Sequence, residues 1–264
     1  MPAPLGDVER LVCHYTTAST ALEHILTTMR LRLGPIADTN DPWEGRRPAG
    51  GMMRGVPFVP TGDDFPHFFF EARNEMDRVL NLARVACLCR NEALSSSRSI
   101  GLSRMAWARD RMWAQYADRH RGVCLLFDRD ELIASFQKAL GDQGGCLAED
   151  VTYSDADPLP VPDLDAFMQS PTEYPLGYRN LHARPLYFMK REDWSGEREF
   201  RVAALVKQAK DPFAFVPIKG PLKSLIVGHR FPRAYRPSVL ESCKRAGIRP
   251  FAFSYSPEPR IHDY

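Results

Sequence analysis

Short apolar segments that favour β-strands recur along the chain and limit its fold more than any other feature. They read LVCHYT, VACLC, GVCLLFD, EREFRVAAL, KSLIVG and RPFAFSY. Each is a short run rich in Val, Leu, Phe, Tyr or Cys, as is typical of a strand bounded by turn residues. LRL at residues 31–33 and VTYSD at residues 151–155 are predicted as further, shorter strands. Strand candidates spread this widely indicate a sheet of many strands.

Helix-forming segments lie between the strand candidates. Apolar residues repeat with helical spacing over residues 21–29, and Thr17 or Ser19 is placed to cap the start of that helix. Helices are also predicted in four later places, over residues 66–82, 101–118, 131–140 and 237–247. Because strands and helices alternate without a strict βαβ rhythm, the sequence predicts a mixed α/β or α+β fold.

The whole chain, residues 1–264, is predicted to form one domain with a surface insertion at about residues 155–178. That segment reads DADPLPVPDLDAFMQSPTEYPLGY. Its density of Pro and Asp predicts a long insertion with a single helical turn, and makes it a candidate for a mobile lid. Residues 45–63 are rich in Gly and Pro and are predicted to be an irregular loop, while NDPWEG before them has turn chemistry.

Composition and charge exclude several classes of protein. The net charge is only +2, so no global field favours nucleic acid or an acidic membrane surface. No segment approaches the roughly 20 apolar residues needed to cross a bilayer, and MPAPLGDVERLV lacks the pattern of a signal peptide. The six cysteines are scattered through apolar runs, as expected for reduced, buried thiols. The sequence predicts a soluble, cytoplasmic protein with no membrane partner.

Several common catalytic motifs are missing from the sequence. It contains no C-x-x-C pair, no H-E-x-x-H and no paired metal spacing, so no metal site is predicted. It also lacks a G-x-G-x-x-G turn, a P-loop and a G-x-S-x-G elbow. These patterns argue against the common dehydrogenases, phosphate-loop enzymes and α/β-hydrolases.

Two strand candidates carry polar residues whose spacing calls for an explanation. In LVCHYT, alternation places Val12, His14 and Thr16 on one face, and the ordinary interpretation of His14 is a ring satisfied within the core. In EREFRV, the side chains at positions 197, 199 and 201 share a face. The ordinary interpretation of these two carboxylates and one guanidinium is a solvated face with an internal ion pair.

Five pieces of the sequence, in order, resemble a known bacterial family. They are CHYTTASTALEHIL, TNDPWEG, MWAQYADRHRGVCLLFD, the W-x-x-E-x-E-x-R of WSGEREFR, and KSLIVG. Together they resemble the domain-of-unknown-function 2971 family, from about His14 to Gly228. The sequence departs from the family pattern in having Trp43 where Phe is usual and in its Pro-rich insertion.

The opening strand of that pattern, with its His and Thr and the helix that follows, is similar to the first motif of ADP-ribosyltransferase folds. In those enzymes a His, a Tyr and a Glu hold NAD and cleave its nicotinamide–ribose bond. The resemblance implies an α+β fold with a split β-sheet and flanking helices, and NAD as the substrate. It places the trio at His14, Tyr116 and a glutamate of EREFR.

The same resemblance implies a set of NAD-binding residues. His14 would donate a hydrogen bond to a ribose hydroxyl, while the strand that continues through Tyr15 and Thr16 would hold the carboxamide with its backbone. Tyr116 or Trp113 would stack on the cationic nicotinamide, because aromatic faces attract cations. The alternative is that both aromatic residues belong to an apolar core stripe of the central helix.

The acidic strand would carry the chemistry. Glu199 would stabilise the oxocarbenium-like ribosyl cation formed when the nicotinamide bond breaks. Glu197 would orient or deprotonate the acceptor, and Arg201 would bind the cofactor or hold the carboxylates in place.

Other charged residues are interpreted as structural. Asn40, Asp41 and Glu44 of NDPWEG are predicted to shape a turn around Pro42, and it stays open that this turn borders the pocket. The Arg residues of the central helix, and Lys190 with its neighbour, are interpreted as a solvated face that would also suit a pyrophosphate or a nucleic-acid backbone.

The expected function is an NAD-dependent ADP-ribosyltransferase that modifies a macromolecule, either nucleic acid or protein. Such an activity would suit a bacterial toxin or a phage-defence effector with a neutralising antitoxin or other partner protein. Two alternatives stay open: a non-catalytic nucleotide- or partner-binding module of the same fold, and a metal-dependent nucleic-acid hydrolase.

Overall fold

The computed structural model describes residues 8–42, 44, 64–91, 104–156, 159–206, 211–255 and 258–264. Its strands are β1 (Leu11–Thr16), β2 (Arg30–Pro35), β3 (Ala83–Arg90), β4 (Val123–Asp128), β5 (Gly144–Asp150), β6 (Thr152–Tyr153), β7 (Met189–Lys190), β8 (Glu199–Val206), β9 (Ala214–Pro217), β10 (Leu222–Val227), β11 (Arg249–Tyr255) and β12 (Pro259–Asp263). Its helices are α1 (Leu26–Thr28), which continues a π-helical segment (Thr20–Ile25), α2 (Asp64–Leu80), α3 (Asp110–Tyr116), α4 (Arg129–Leu140), α5 (Leu164–Gln169), α6 (Glu173–Leu181), α7 (Ala183–Tyr187) and α8 (Arg236–Ala246).

Ten of the described strands form one sheet, and the prediction of a mixed α+β fold is confirmed. The strands run in the order β12-β11-β10-β4-β1-β3-β2-β9, with β8 paired to β3 and β5 paired to β8. Within this sheet the β10–β11 pair is parallel, and the other pairs are antiparallel. β3 is long enough for two different strands to pair with different parts of the same edge.

The sheet divides along one edge of β3. β1 pairs with one end of this edge through Val12 and Cys13. β2 pairs with the other end through Gly34 and Pro35. Between the two pairings, in the part of the chain that the structure describes, residues 86–88 have no registered strand partner on this edge. β1 and β2 diverge there, which leaves an opening in the sheet.

Apolar clusters cover the two faces of the sheet. On one face, Val12 and Phe200 pack among residues of α4 and α8. On the other face, Cys13 and Tyr15 pack against Trp113 of α3. This arrangement confirms the predicted alternation of side chains along LVCHYT, because neighbouring residues of β1 enter different clusters.

Two close backbone approaches explain the glycines of HRGVC and LIVG. A Cβ at Gly122 would lie 2.2 Å from the carbonyl oxygen of Thr16, and one at Gly228 would lie 2.2 Å from that of His120. The two segments are also joined directly, since the Gly228 N–H donates to the Gly122 carbonyl at 3.0 Å. Only a residue without a side chain fits at either position.

The structure corrects several element predictions. The central helix predicted over residues 101–118 is the 3₁₀ turn Ala106–Ala108 followed by α3, within the described residues. The strand predicted from Glu197 begins at Glu199, because Glu197 ends a 3₁₀ turn. The predicted irregular loop at residues 45–63 lies outside the described residues.

The Pro-rich segment carries more structure than predicted. Residues 155–178 contain all of α5 and the start of α6, where one helical turn was predicted. Leu164, Phe167 and Tyr178 are buried against apolar residues of α2. The segment was predicted to be a surface insertion because of its Pro and Asp content. Instead it forms helices that pack with an apolar face, in which every third or fourth side chain is buried.

None of the described helices combines the length and the apolar content that crossing a bilayer requires. All six cysteines are free, and Cys87 and Cys146 are only half-buried.

Candidate functional site

A cleft of about 840 Å³ opens where β1 and β2 diverge. This volume lies in the usual range for sites that bind small molecules or cofactors. Its lining includes the unpaired edge of β3, the C-terminal half of β1, part of α3 and the acidic turn before β8. Of the residues predicted to form a site, the lining contains His14, Tyr15, Thr16, Tyr116, Glu197 and Glu199. Segments about a hundred residues apart in sequence therefore meet at one opening.

His14 is tied to the edge strand across the opening. Its Nδ1 lies 3.0 Å from the backbone carbonyl of Cys87. Burial lowers the pKa of His14, and the charge of Arg32 lowers it further, although the Cys87 carbonyl acts in the opposite direction. The ring is therefore neutral at pH 7, with its proton on Nδ1. Because neutral imidazole then has a lone pair on Nε2, His14 would accept a hydrogen bond from a ligand hydroxyl, which reverses the direction predicted from the sequence.

A buried ion network lies at the floor of the cleft, where Lys190, Glu197 and Glu199 contribute to the lining. Lys190 Nζ is 2.9 Å from Glu197 Oε2 and 2.7 Å from Glu199 Oε2. Arg201 donates from Nε to Glu199 Oε1 at 2.6 Å, and its Nη1 is 2.5 Å from Glu44 Oε1. All five side chains are at most 3% exposed. We use the name ion network for these three carboxylates and two cations.

The ion network is buried, whereas the ordinary interpretation of EREFRV was a solvated face with an internal ion pair. Removing charges from water costs several kcal/mol per ion, so they persist only when each is paired. Burial alone would raise the pKa of Glu199, but the Arg201 and Lys190 charges lower it to about 2. Burial raises the pKa of Glu44, and the cations around it do not fully compensate. Glu44 therefore takes up a proton more easily than Glu199 does.

Tyr116 joins the central helix to the ion network. Its hydroxyl donates to Glu197 Oε1 at 2.6 Å, and its ring lines the cleft. Burial raises the pKa of the Tyr116 phenol, and the neighbouring Glu197 charge raises it further. Tyr116 therefore remains a hydrogen-bond donor over the whole physiological pH range.

The turn that carries Glu197 is held from α3. Arg109 donates to the Gly196 carbonyl at 3.0 Å, and Arg111 donates to the Asp193 carbonyl at 3.1 Å. Arg198 then adopts a left-handed backbone with φ of 44°. This residue lies between the turn and β8, so Glu197 and Glu199 both reach Lys190 although only Glu199 belongs to the strand. The arginines interpreted as a solvated helix face thus position the acidic turn.

Two residues predicted to bind the cofactor do not line the cleft, and Tyr15 lines it with its ring turned into the core. Trp113 is fully buried, donates from its indole N–H to the Trp107 carbonyl at 2.7 Å, and cannot stack on a ligand. The Tyr15 ring packs edge-on against Trp113 with ring centroids 5.1 Å apart, so Tyr15 borders the cleft without offering it a phenol. Arg201 is 0% exposed and holds Glu199 and Glu44, which makes it a positioning residue.

Sequence reasoning missed Glu44 and Lys190 as members of the site. Glu44 was interpreted as part of a turn and Lys190 as part of a solvated face. Lys190 also lies 5.2 Å from the centroid of the Trp194 ring. The sequence offered one indication of their role. Glu44 lies in NDPWEG next to Trp43, and Lys190 lies just before WSGEREFR, which contains Trp194 and the acidic pair.

The geometry defines a protein with a ligand-sized cleft in a divided α+β sheet, built over a buried ion network. The family described as "Protein of unknown function (DUF2971)" has a model that matches residues 112–202. This span contains Tyr116, Lys190 and the whole acidic motif, so the predicted relationship to that family is confirmed over this segment. No curated protein and no solved structure matches the chain.

Proposed function

We propose that the cleft binds NAD and that the protein transfers ADP-ribose from it to a macromolecular acceptor. The observation that carries the proposal is that His14, Tyr116 and the pair Glu197 and Glu199 line one cleft. These are the residues that the resemblance to ADP-ribosyltransferases assigns to the site.

The carboxylates suit cleavage of an N-glycosidic bond. In this step the bond between ribose C1′ and the nicotinamide nitrogen breaks, and its electron pair leaves with nicotinamide. The ribose is left with oxocarbenium-like positive charge, which a fixed carboxylate stabilises. With its pKa lowered to about 2, Glu199 carries its negative charge at any pH at which the protein would act.

The other two groups would orient the dinucleotide. The neutral His14 ring would accept a hydrogen bond from a ribose hydroxyl through Nε2, because Nδ1 is engaged by Cys87. The Tyr116 ring would stack on the cationic nicotinamide. Its hydroxyl is held by Glu197, which fixes the ring plane.

The acceptor nucleophile would attack C1′ and lose its proton to Glu197. The acceptor is a nucleic acid or a protein, and a toxin or antiviral-defence role with a neutralising partner protein fits such a modification. We place the activity in the cytoplasm, where NAD is available.

Label transfer tests the proposal directly. NAD labelled in its adenylate part is incubated with the protein and with separate nucleic-acid and protein fractions of a bacterial lysate. We expect label on one of the two fractions with the wild type and at least about a hundredfold less with Glu197→Gln, because a general base typically contributes that much or more. No transfer to either fraction, with NAD left intact, would contradict the proposal.

A non-catalytic nucleotide-binding module is the second candidate, and one observation favours it. Both acidic side chains near the cleft are already paired with cations, as in a structural network. Calorimetry with NAD and ADP-ribose separates the two candidates, since the module binds both without releasing nicotinamide.

The geometry gives less support to a metal-dependent hydrolase. Lys190 Nζ bridges Glu197 and Glu199, where a divalent cation would have to sit. Among the described residues, no group of three or more His, Cys, Asp or Glu side chains is arranged to hold a metal ion.

A further inference from the structure

The wall of the cleft formed by β2 and β9 differs in charge from its floor. Arg30 and Arg32 of β2 line the cleft and are exposed, while Leu31 and Leu33 between and beside them are buried in the core. Alternation along the strand thus places two cations on the same face of β2. We call the residues Arg30, Arg32, Phe213 and Phe215 the β2–β9 wall.

Aromatic residues accompany the two cations. Phe215 lies directly opposite Arg32 in the register of β2 and β9, and it is 46% exposed. The guanidinium of Arg32 lies 4.4 Å from the centroid of the Phe213 ring. Phe215 therefore presents an accessible aromatic ring on the same wall of the cleft as the two cations.

Neither arginine of the wall has a carboxylate partner within the described ranges. The acidic residue that lines this part of the cleft is Asp38, and its charge acts on Arg84. The charge of Arg32 acts on His14, the predicted ribose contact, and both residues line the cleft. The cleft is therefore positive along the β2–β9 wall and rich in carboxylates at the ion network.

We propose that the β2–β9 wall is a binding subsite for a nucleoside diphosphate. Arg30 and Arg32 would bind the two phosphates, because the guanidinium fork matches phosphate oxygens and neither arginine is paired with a carboxylate in the part of the chain that the structure describes. Phe215 would stack on the base, and Phe213 would hold the Arg32 guanidinium. The link to NAD rests on the proposed function: its ADP half would lie on this wall and its cationic nicotinamide near the carboxylates.

The test compares binding of ADP, inorganic pyrophosphate and adenosine by calorimetry. The wild type is compared with the double variant Arg30→Gln/Arg32→Gln, with Phe215→Ala, and with Arg249→Gln as a matched control. Arg249 is also an exposed strand arginine, but it is paired with Asp263 and does not line the cleft. Circular dichroism checks that each variant is folded.

We expect the double variant to bind ADP and pyrophosphate at least about tenfold more weakly than the wild type, because it loses charge-assisted hydrogen bonds. Its affinity for adenosine should stay within about threefold of the wild-type value. Phe215→Ala should weaken ADP and adenosine binding at least about fivefold but not pyrophosphate binding, since a base loses its stacking partner. Arg249→Gln should bind all three like the wild type.

The outcomes separate this inference from the proposed function. If the wild type does not bind ADP, or if the double variant binds it with unchanged affinity, the subsite inference is wrong even if nicotinamide is released from NAD. If binding depends on the two arginines as expected but NAD is never cleaved, the subsite stands and the transferase proposal fails.

Discussion

At the scale of single residues, Lys190 is the group on which the site depends most. It is the cation that contacts both Glu197 and Glu199, and it lies 3.7 Å from Glu44 as well. Each buried charge of the ion network is tolerated only because an opposite charge lies next to it. Removing one member therefore leaves another charge buried without a partner and destabilises the protein.

We predict that Lys190→Met destabilises the protein by about 3–5 kcal/mol, because it leaves buried carboxylates uncompensated. Chemical denaturation measures the loss. The matched control is Lys223→Met, since Lys223 also forms an ion pair, with Glu131, but both side chains are at least a third exposed. We expect that control to cost less than about 1 kcal/mol. Similar losses in the two variants would show that Lys190 is not a buried counter-ion.

The lowered pKa of Glu199 predicts acid sensitivity. Its pKa of about 2 in the folded protein lies below the value of an unperturbed Glu, 4.5, so the unfolded chain binds the proton more tightly. The resulting stabilisation is present above about pH 5 and is lost as the pH falls towards 2; its size is of order 3 kcal/mol. Urea denaturation of the wild type and Glu199→Gln between pH 6 and about 3 measures this, and the variant should show the shallower decline. Parallel declines would contradict the assignment.

The residues of the site were predictable to different degrees. His14, Tyr116, Glu197 and Glu199 could be named because each lies in a motif that resembles the family pattern, and the family match covers the last three of them. Glu44 was assigned to a turn and not to the site, because only tertiary structure brings the NDPWEG turn within reach of Arg201. Trp113 was wrongly assigned because a helical stripe does not show which of its rings faces the core and which the cleft.

At the scale of elements, the close backbone contacts of Gly122 and Gly228 hold the ends of β4 and β10 against the turn after α3. Asp118, Arg119 and His120 in this turn all have positive φ, between 45° and 69°. The turn ends at Gly122, whose carbonyl accepts from Gly228. This joint sets the direction of α3 and so the position of Tyr116 over the acidic turn.

We predict that Gly228→Ala destabilises the protein by about 3 kcal/mol or more, because the new Cβ would meet the His120 carbonyl. The control is Gly177→Ala in α6, where nothing lies within 4 Å of the added Cβ. Since Ala favours a helix over Gly, this control should gain up to about 1 kcal/mol. Thermal denaturation compares the two, and an unchanged melting temperature in Gly228→Ala would refute the close approach.

Prediction of the elements followed local pattern strength. The strands β1, β3, β4, β8, β10 and β11 were predicted because each is an apolar run with turn residues at its ends. β5, with the sequence GGCLAED, and β12, with PRIHD, were missed because Gly, Pro and charged residues obscure strands that form through pairing with a neighbour. The capping prediction was confirmed at Thr17, whose Oγ1 accepts from the Thr20 N–H at 3.2 Å.

At the scale of the whole molecule, the divided sheet produces the cleft and gives it two kinds of wall. The pairing of β3 with β1 at one end and β2 at the other could not be inferred from the sequence, because local periodicity carries no information on strand order. The fold class was predicted and confirmed, while the likeness to ADP-ribosyltransferases remains a proposal that rests on the residues lining the cleft.

Release of nicotinamide from NAD tests the central claim most directly. Purified wild type, Glu199→Gln and the control Glu131→Gln, an exposed glutamate outside the cleft, are incubated with NAD, and free nicotinamide is measured by chromatography. We predict release by the wild type and the control, and a decrease of at least about a hundredfold in Glu199→Gln, as when a single electrostatic contact to the transition state is lost. Equal release by all three proteins, or release by none while NAD binds in the cleft, would contradict the proposed role of Glu199.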